Sequence, residues 1–258
     1  MKTVAIVGVG LIGGSFALAL RKAGFQGRII GVSSPATIEK ALARGVIDEA
    51  LGLAEAAAAA DLVYLAQPIS GILTTLDVLE TDALVTDAGS TKAVICERAR
   101  KLKRFVGGHP MAGKESRGVE QADADLFRGR PYVLTSHDPQ LEVWIERIGS
   151  RLVLLEPAEH DRQVALVSHL PQLLSSTLAS VLAGNEKVAG PAAADLTRLA
   201  LSPYDIWRDI FATNAEPIDA ALGALITRLE EVRTQLRRSD LESFFSQAAA
   251  SARALRGK

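Results

Sequence analysis

One of the chain's four histidines, His109, sits in FVGGHPMAGKE (105–115), between a pair of glycines and Pro110, with Gly113 just beyond. Glycines give up side-chain bulk and proline stiffens a turn, a setting that suits an imidazole aimed at a small bound molecule. With an ordinary pKa of about 6.5, an imidazole is a proton acceptor near neutral pH. Three other groups carry matching chemistry: Ser90 in DAGSTK (87–92), His169 in SHLP, and Arg198 in DLTRLALSPYDIWRDIF (195–211). Hydride transfer from an alcohol needs a base for the hydroxyl proton, a cation for a substrate carboxylate and donors that fix a nicotinamide. These residues supply that set, and a planar guanidinium grips both oxygens of a carboxylate.

The cofactor end is legible at the N-terminus. Gly8-Val9-Gly10-Leu11-Ile12-Gly13 follows an apolar strand and opens a helix, the context in which GxGxxG means dinucleotide binding. Gly8 makes the tight turn, Gly10 lets the backbone approach a pyrophosphate beside Leu11 and Ile12, and Gly13 allows helix and strand to pack. The next strand ends in Ser33 and Ser34 with no carboxylate to grip a ribose 2′-hydroxyl. Nothing there repels a 2′-phosphate, so NADP is slightly favoured over NAD. Gln67 and Pro68 mark a further strand end along the cofactor's path.

These groups need a scaffold that brings them to one edge. TVAIVGVG, GRIIGVS, ADLVYLAQ, DALVTDAG, RFVGGHP and PYVLT read as strands, with helices over 13–23, 36–44, 91–103 and 139–150. That alternation is a Rossmann-type, doubly wound parallel sheet of the α/β class, to which RLVLLEP (151–157) adds an edge strand. Ligands bind at the carboxyl ends of such strands, so Ser90 and His109 reach the same edge as the glycine loop. AEAAAAAD (54–61) reads as an alanine-rich helix. From 158 onward only helical patterns follow, in a long apolar one bent at Pro171 and two amphipathic ones. The division expected is a dinucleotide-binding domain over 1–157 and an all-helical C-terminal domain over 158–258. The second is thin enough to need a partner surface.

Composition excludes several classes. A net charge of −1 argues against a nucleic-acid partner, and 48% hydrophobic with 23% charged residues is ordinary for a globular protein. No uninterrupted apolar run approaches a membrane span, and no leader pattern precedes VAIVGVG, so a cytoplasmic protein is expected. The single cysteine, Cys96, reads as the buried side of a helix, and the dispersed histidines suggest no metal site. Read alone, Trp207 is a core residue, Ser90 caps the helix TKAVICERAR, and Arg198 pairs equally well with Asp195, Asp209 or a ligand. Glu115 is either a gate or a solvated side chain. His137 and His160 have no partner in view.

VGVGLIGGS, TDAGSTK, GGHPMAGKESRGVEQA, EHDRQVALVSHLPQ and DLTRLALSPYDIWRDIF, in that order, resemble the signature blocks of the prephenate/arogenate dehydrogenases of tyrosine biosynthesis. The resemblance implies an NAD(P)-dependent oxidative decarboxylation of a small cyclohexadienyl acid by a homodimer. It implies that His109 takes the C4 hydroxyl proton and that Ser90 bonds that hydroxyl or orients His109. His169 would line the site, Arg198 would hold a carboxylate with Gly113 and Trp207 nearby, and Asp195 and Asp209 would support them. Ala194 and Leu201-Ser202-Pro203 depart from the pattern where the substrate's side chain is held, which leaves prephenate and arogenate both open. A β-hydroxyacid dehydrogenase or imine reductase shares the layout, but residues 160–183 lack the lysine expected of the hydroxyacid enzymes. A nucleotide sensor without chemistry would have no use for a carboxylate clamp beside a base.

Overall fold

The computed structural model describes residues 1–114 and 116–256, so Glu115 lies outside the described residues. Six parallel strands form the main sheet: β1 (Thr3–Val7), β2 (Arg28–Val32), β3 (Glu49–Ala50), β4 (Leu62–Leu65), β5 (Leu84–Asp87) and β6 (Phe105–Val106), in the order β3-β2-β1-β4-β5-β6. Helices α1 (Leu11–Lys22), α2 (Pro35–Ala43), α3 (Leu53–Ala59), α4 (Ile69–Val78) and α5 (Ala93–Arg98) lie between successive strands. Both sheet faces are covered, which is why β4 and β5 are buried along their whole length. On one face Phe16 of α1 stacks on Tyr64 with ring centroids 3.9 Å apart. On the other, Ile72 and Leu76 of α4 pack against β1, β4 and β5. The strand order reverses between β1 and β4, and the crevice above that switch is where ligands bind.

Helix α4 and the two-residue β3 lie outside the sequence expectation. The sequence ISGILTTLDV of α4 is poor in strong helix formers, and burial of Ile69, Ile72 and Leu76 overrides that preference. RFVGGHP is also not one strand. The parallel sheet ends at β6, and β7 (Gly108–Pro110) starts a second sheet with β8 (Pro131–Leu134) and β9 (Arg151–Leu154). There β7 runs antiparallel to β8 and β9 parallel to it, so RLVLLEP edges this small sheet and not the large one. The cause is visible at Gly108. Its N–H donates to Asp87 Oδ1 at 3.1 Å and its carbonyl accepts from Lys92 Nζ at 2.6 Å. With both backbone groups taken by a buried ion pair, the ladder stops and the chain turns away.

Helix α6 (Pro139–Arg147) packs behind β9, and the remainder is helical: α7 (Pro157–Val164), α8 (Leu170–Leu182), α9 (Pro191–Thr197), α10 (Tyr204–Thr213), α11 (Ala215–Arg237) and α12 (Glu242–Leu255). Helices α7 and α8 are one rod joined by a π-helical segment over Ala165–His169. Pro171 has no N–H to give to the turn before it, and the wider π turn absorbs that loss. The rod Pro157–Leu182 holds an 18-residue stretch of mean hydropathy 1.3, long and apolar enough to cross a membrane. Its buried His160, Asp161, His169 and Gln172 nevertheless have protein partners. The buried core of the helical part is small, centred on Ala165, Ile218 and Ala221. Val167 and Val181 stay 61% and 70% exposed.

Candidate active site

The glycine loop has the geometry a dinucleotide needs. Gly8 adopts φ 94°, and a Cβ there would lie 2.8 Å from the Ala66 backbone; one on Gly13 would lie 2.2 Å from the Gly8 carbonyl oxygen. A Cβ on Gly10 would meet nothing within 4 Å, so the space before the α1 N-terminus is open. Helix α1 has no side-chain cap and no acidic residue in its first turn, which leaves its N–H groups for a phosphate. A cleft of about 700 Å³ begins there. Gly10, Leu11, Ile12, Gln67, Pro68, Ser90 and Gly113 line it, together with Arg208 and Asp209 of α10. Gln67 is anchored, its Oε1 accepting from Thr75 Oγ1 at 3.0 Å. Ser33 and Ser34 stand exposed at the end of β2, outside the cleft lining, with Ser34 Oγ bonded to Thr37 Oγ1 at 3.0 Å.

His109 lies on β7, only 9% exposed and outside the cleft lining. Its Nδ1 is 2.8 Å from Nε2 of His160, and His160 Nδ1 is 2.8 Å from Asp161 Oδ1. A carboxylate only accepts, so His160 donates from Nδ1. In the tautomer whose Nε2 carries no proton, His160 accepts Nδ1–H of His109, which leaves His109 Nε2 as a free acceptor. Burial, and then the neighbouring His160, Lys92 and His169, hold the His109 pKa well below the usual imidazole value. His109 is therefore neutral at physiological pH. His160, which the sequence left without a partner, is fully buried and central to this arrangement. Asp161 also accepts from the backbone N–H groups of Lys92 at 2.6 Å and Ala93 at 2.8 Å. Thus Asp161, not Ser90, caps α5, because no side chain from the loop itself bonds that terminus. Lys92 is wholly buried and paired with Asp87, whose Oδ2 also accepts from Gly89 N–H at 2.8 Å. Asp87, Lys92, His160 and Asp161 all stand in the DAGSTK and EHD blocks, and charged pairs inside apolar stretches were the available signal.

His169 closes the π segment, 1% exposed. Its Nδ1 lies 3.1 Å from Asn214 Nδ2, which also donates to the Asp161 carbonyl at 2.9 Å. Burial lowers the His169 pKa to about 4. Trp207 meets His169 edge to face at 6.0 Å, stacks on Phe211 at 5.6 Å, and donates Nε1–H to Ser202 Oγ at 2.9 Å. The two histidines are thus linked through His160, Asp161 and Asn214. Asp209 of α10 accepts from the Ser70 N–H at 2.9 Å, which ties the helical part to the start of α4 beside the cleft. The Ser70 hydroxyl, and then its N–H, hold the Asp209 carboxyl below the usual carboxylate pKa.

Arg198 is placed differently from expectation. It opens an exposed 3₁₀ turn (Arg198–Leu201) and does not line the cleft with Ser90. That turn is pinned to α8 by Gln172 Nε2, which donates to the Leu199 carbonyl at 2.9 Å, and by Ser175 Oγ, which accepts from Ala200 N–H at 3.1 Å. The turn that carries Arg198 therefore packs against α8. Asp195 is exposed on α9, away from the cleft lining. His137 is exposed and bonded to Glu142. Burial pushes the Cys96 thiol up to about 11, the state of an inert core cysteine. No group of metal-binding side chains occurs among the described residues.

Known proteins match this arrangement. The family described as "Prephenate dehydrogenase, nucleotide-binding domain" matches residues 16–158, and "Prephenate dehydrogenase, dimerization domain" matches residues 156–249. The prephenate dehydrogenase of Lactococcus lactis is 34% identical over 96% of this chain and 75% of its own length. The solved prephenate dehydrogenase of A. aeolicus, in complex with hydroxyphenyl propionate and NAD+, superposes with a TM-score of 0.89. It is 31% identical, over 100% of this chain and 99% of that one. A Synechocystis arogenate dehydrogenase gives a TM-score of 0.85 at 29% identity, over 98% and 99%. With two family matches that together run from residue 16 to residue 249, the chain belongs to the prephenate dehydrogenase family.

Proposed function

We propose that the chain oxidatively decarboxylates prephenate to 4-hydroxyphenylpyruvate with a nicotinamide cofactor, and that it acts in the cytoplasm as a homodimer. The observation that carries this reading is His109, a buried neutral imidazole whose Nδ1 is held by His160 and, through it, by Asp161. The glycine loop and the uncapped start of α1 fit a dinucleotide. When bound, NAD(P)+ accepts the hydride from C4 of the substrate ring. His109 Nε2 takes the hydroxyl proton as the C4–O bond gains carbonyl character. The C1–carboxylate bond then breaks to release CO2, its electron pair completes the aromatic ring, and the proton returns to the C4 oxygen. Ser90, on the cleft wall, bonds the same hydroxyl. While His109 holds the proton, its Nδ1–H faces His160 and the Asp161 carboxylate beyond, which stabilises the imidazolium. Arg198 binds a substrate carboxylate from the His169 side, and Trp207 walls that side off from water. The expected domain division, 1–157 and 158–258, follows the change from strands to helices.

NADP is the favoured cofactor, because Ser33 offers a hydroxyl and no carboxylate where a 2′-phosphate would sit. The test crosses prephenate and arogenate with NAD+ and NADP+, followed by reduced-cofactor absorbance. Turnover with prephenate is the expected result. A folded protein that binds cofactor yet turns over neither acid would end the reading, and turnover of arogenate alone would move it to the amino acid, giving tyrosine directly.

A further inference from the structure

The two histidines of the site are held by different partners, and those partners demand opposite ring polarities. Asn214 stands at the junction of α10 and α11, 2% exposed. Its amide has one orientation only. Nδ2 lies 2.9 Å from the Asp161 carbonyl oxygen, and a flipped amide would set oxygen against oxygen. With that orientation fixed, the second contact of Nδ2, to His169 Nδ1 at 3.1 Å, is a hydrogen bond only if Nδ1 of His169 is bare. A neutral imidazole with bare Nδ1 carries its proton on Nε2. The ring is neutral across physiological pH, since burial lowers its pKa to about 4.

We infer that Asn214 is a positioning residue that locks His169 as a hydrogen-bond donor, presenting Nε2–H to a substrate carboxylate oxygen, while His160 and Asp161 lock His109 as the acceptor. The surroundings agree with an anion. The turn that carries Arg198 is pinned to α8 by Gln172, one helical turn beyond His169, so a guanidinium-bearing turn packs on the rod that carries the donor. Opposite tautomers give each ring a single role, because His169 holds the acid and does not compete for the hydroxyl proton. The ligand assignment rests on the function proposed above; the tautomer assignment does not.

The test uses the intact enzyme with 15N-labelled histidine. Four histidines give four ring spin systems, and His169→Gln assigns the one of interest. The expected spectrum of the ligand-free enzyme at pH 7 shows His169 with Nδ1 bare and Nε2 protonated. Nδ1 protonated in that spectrum overturns the inference, whatever the substrate proves to be. Asn214→Asp reverses the contact, because a carboxylate accepts, so His169 becomes protonated at Nδ1. Asn214→Leu removes the contact and leaves the two tautomers mixed. In both variants KM for the carboxylated substrate rises roughly 10- to 100-fold, the usual worth of a hydrogen bond to a charged group, while kcat falls far less. An unchanged KM in a variant whose spectrum shows the altered tautomer overturns the donor role, and an unaltered spectrum in both variants overturns the role of Asn214.

Discussion

At the scale of single residues, the fold keeps one buried imidazole, that of His109, uncharged. His109 owes that state to burial and to three cationic or potentially cationic neighbours. His109→Asn is expected to lower kcat by roughly 10²–10⁴-fold, the range for a general base, with cofactor affinity unchanged in a fluorescence titration. Comparable loss of cofactor binding would mean the residue holds the loop and not the reaction. His160→Asn removes the acceptor that orients His109 Nδ1–H. Its kcat is expected to fall about 10-fold or more, with KM nearly constant. Ser33→Asp places a carboxylate at the end of β2, and kcat/KM with NADP+ should drop at least about 10-fold while NAD+ is tolerated or improved. A variant that keeps the parent's cofactor ratio would show that the 2′-phosphate sits elsewhere.

At the scale of elements, two carboxylates help tie the helical part to the Rossmann part. Asp161 of α7 caps α5 with two backbone hydrogen bonds, and Asp209 of α10 accepts from the first turn of α4. Both are carboxylates at helix N-termini, where the aligned peptide dipoles favour negative charge. Asp161→Asn keeps the shape but loses one acceptor and the charge opposite His160. It should cost about 1–3 kcal/mol in urea unfolding and slow turnover as well. Asp209→Asn, on a less buried contact, should cost under about 1 kcal/mol; a larger loss would mean that α10 docks mainly through this bond.

For the molecule as a whole, the buried neutral histidines make stability depend on pH with a definite sign. His169 has its pKa lowered to about 4 in the fold, against about 6.5 in an unfolded chain. Between those values the unfolded chain binds more protons than the folded one. Stability is therefore complete above about pH 6.5 and is lost progressively as pH falls toward 4, by roughly 3 kcal/mol from this group. His109 shifts in the same direction. Urea midpoints measured from pH 7.5 to 4.5 should fall along this course, and the decline should be shallower in His169→Gln. A variant as steep as the parent would place the linkage on other groups.

The amino-acid order by itself determined the glycine loop and most of the alternation of strands and helices, and it offered His109, Ser90, His169 and Arg198 as candidates, because spacing and local propensity encode what touches within a turn or a strand end. It did not determine where RFVGGHP divides, that α4 is a helix, or that Asp161 caps α5, since those outcomes depend on groups far apart in the chain. Only the tertiary structure decided that His160 backs His109, that Asn214 faces His169, and that Arg198 stands on the α8 side and off the cleft wall. The physical reason is the same in each case. A buried polar atom takes whichever partner the packing brings within about 3 Å, and sequence separation carries no record of that distance.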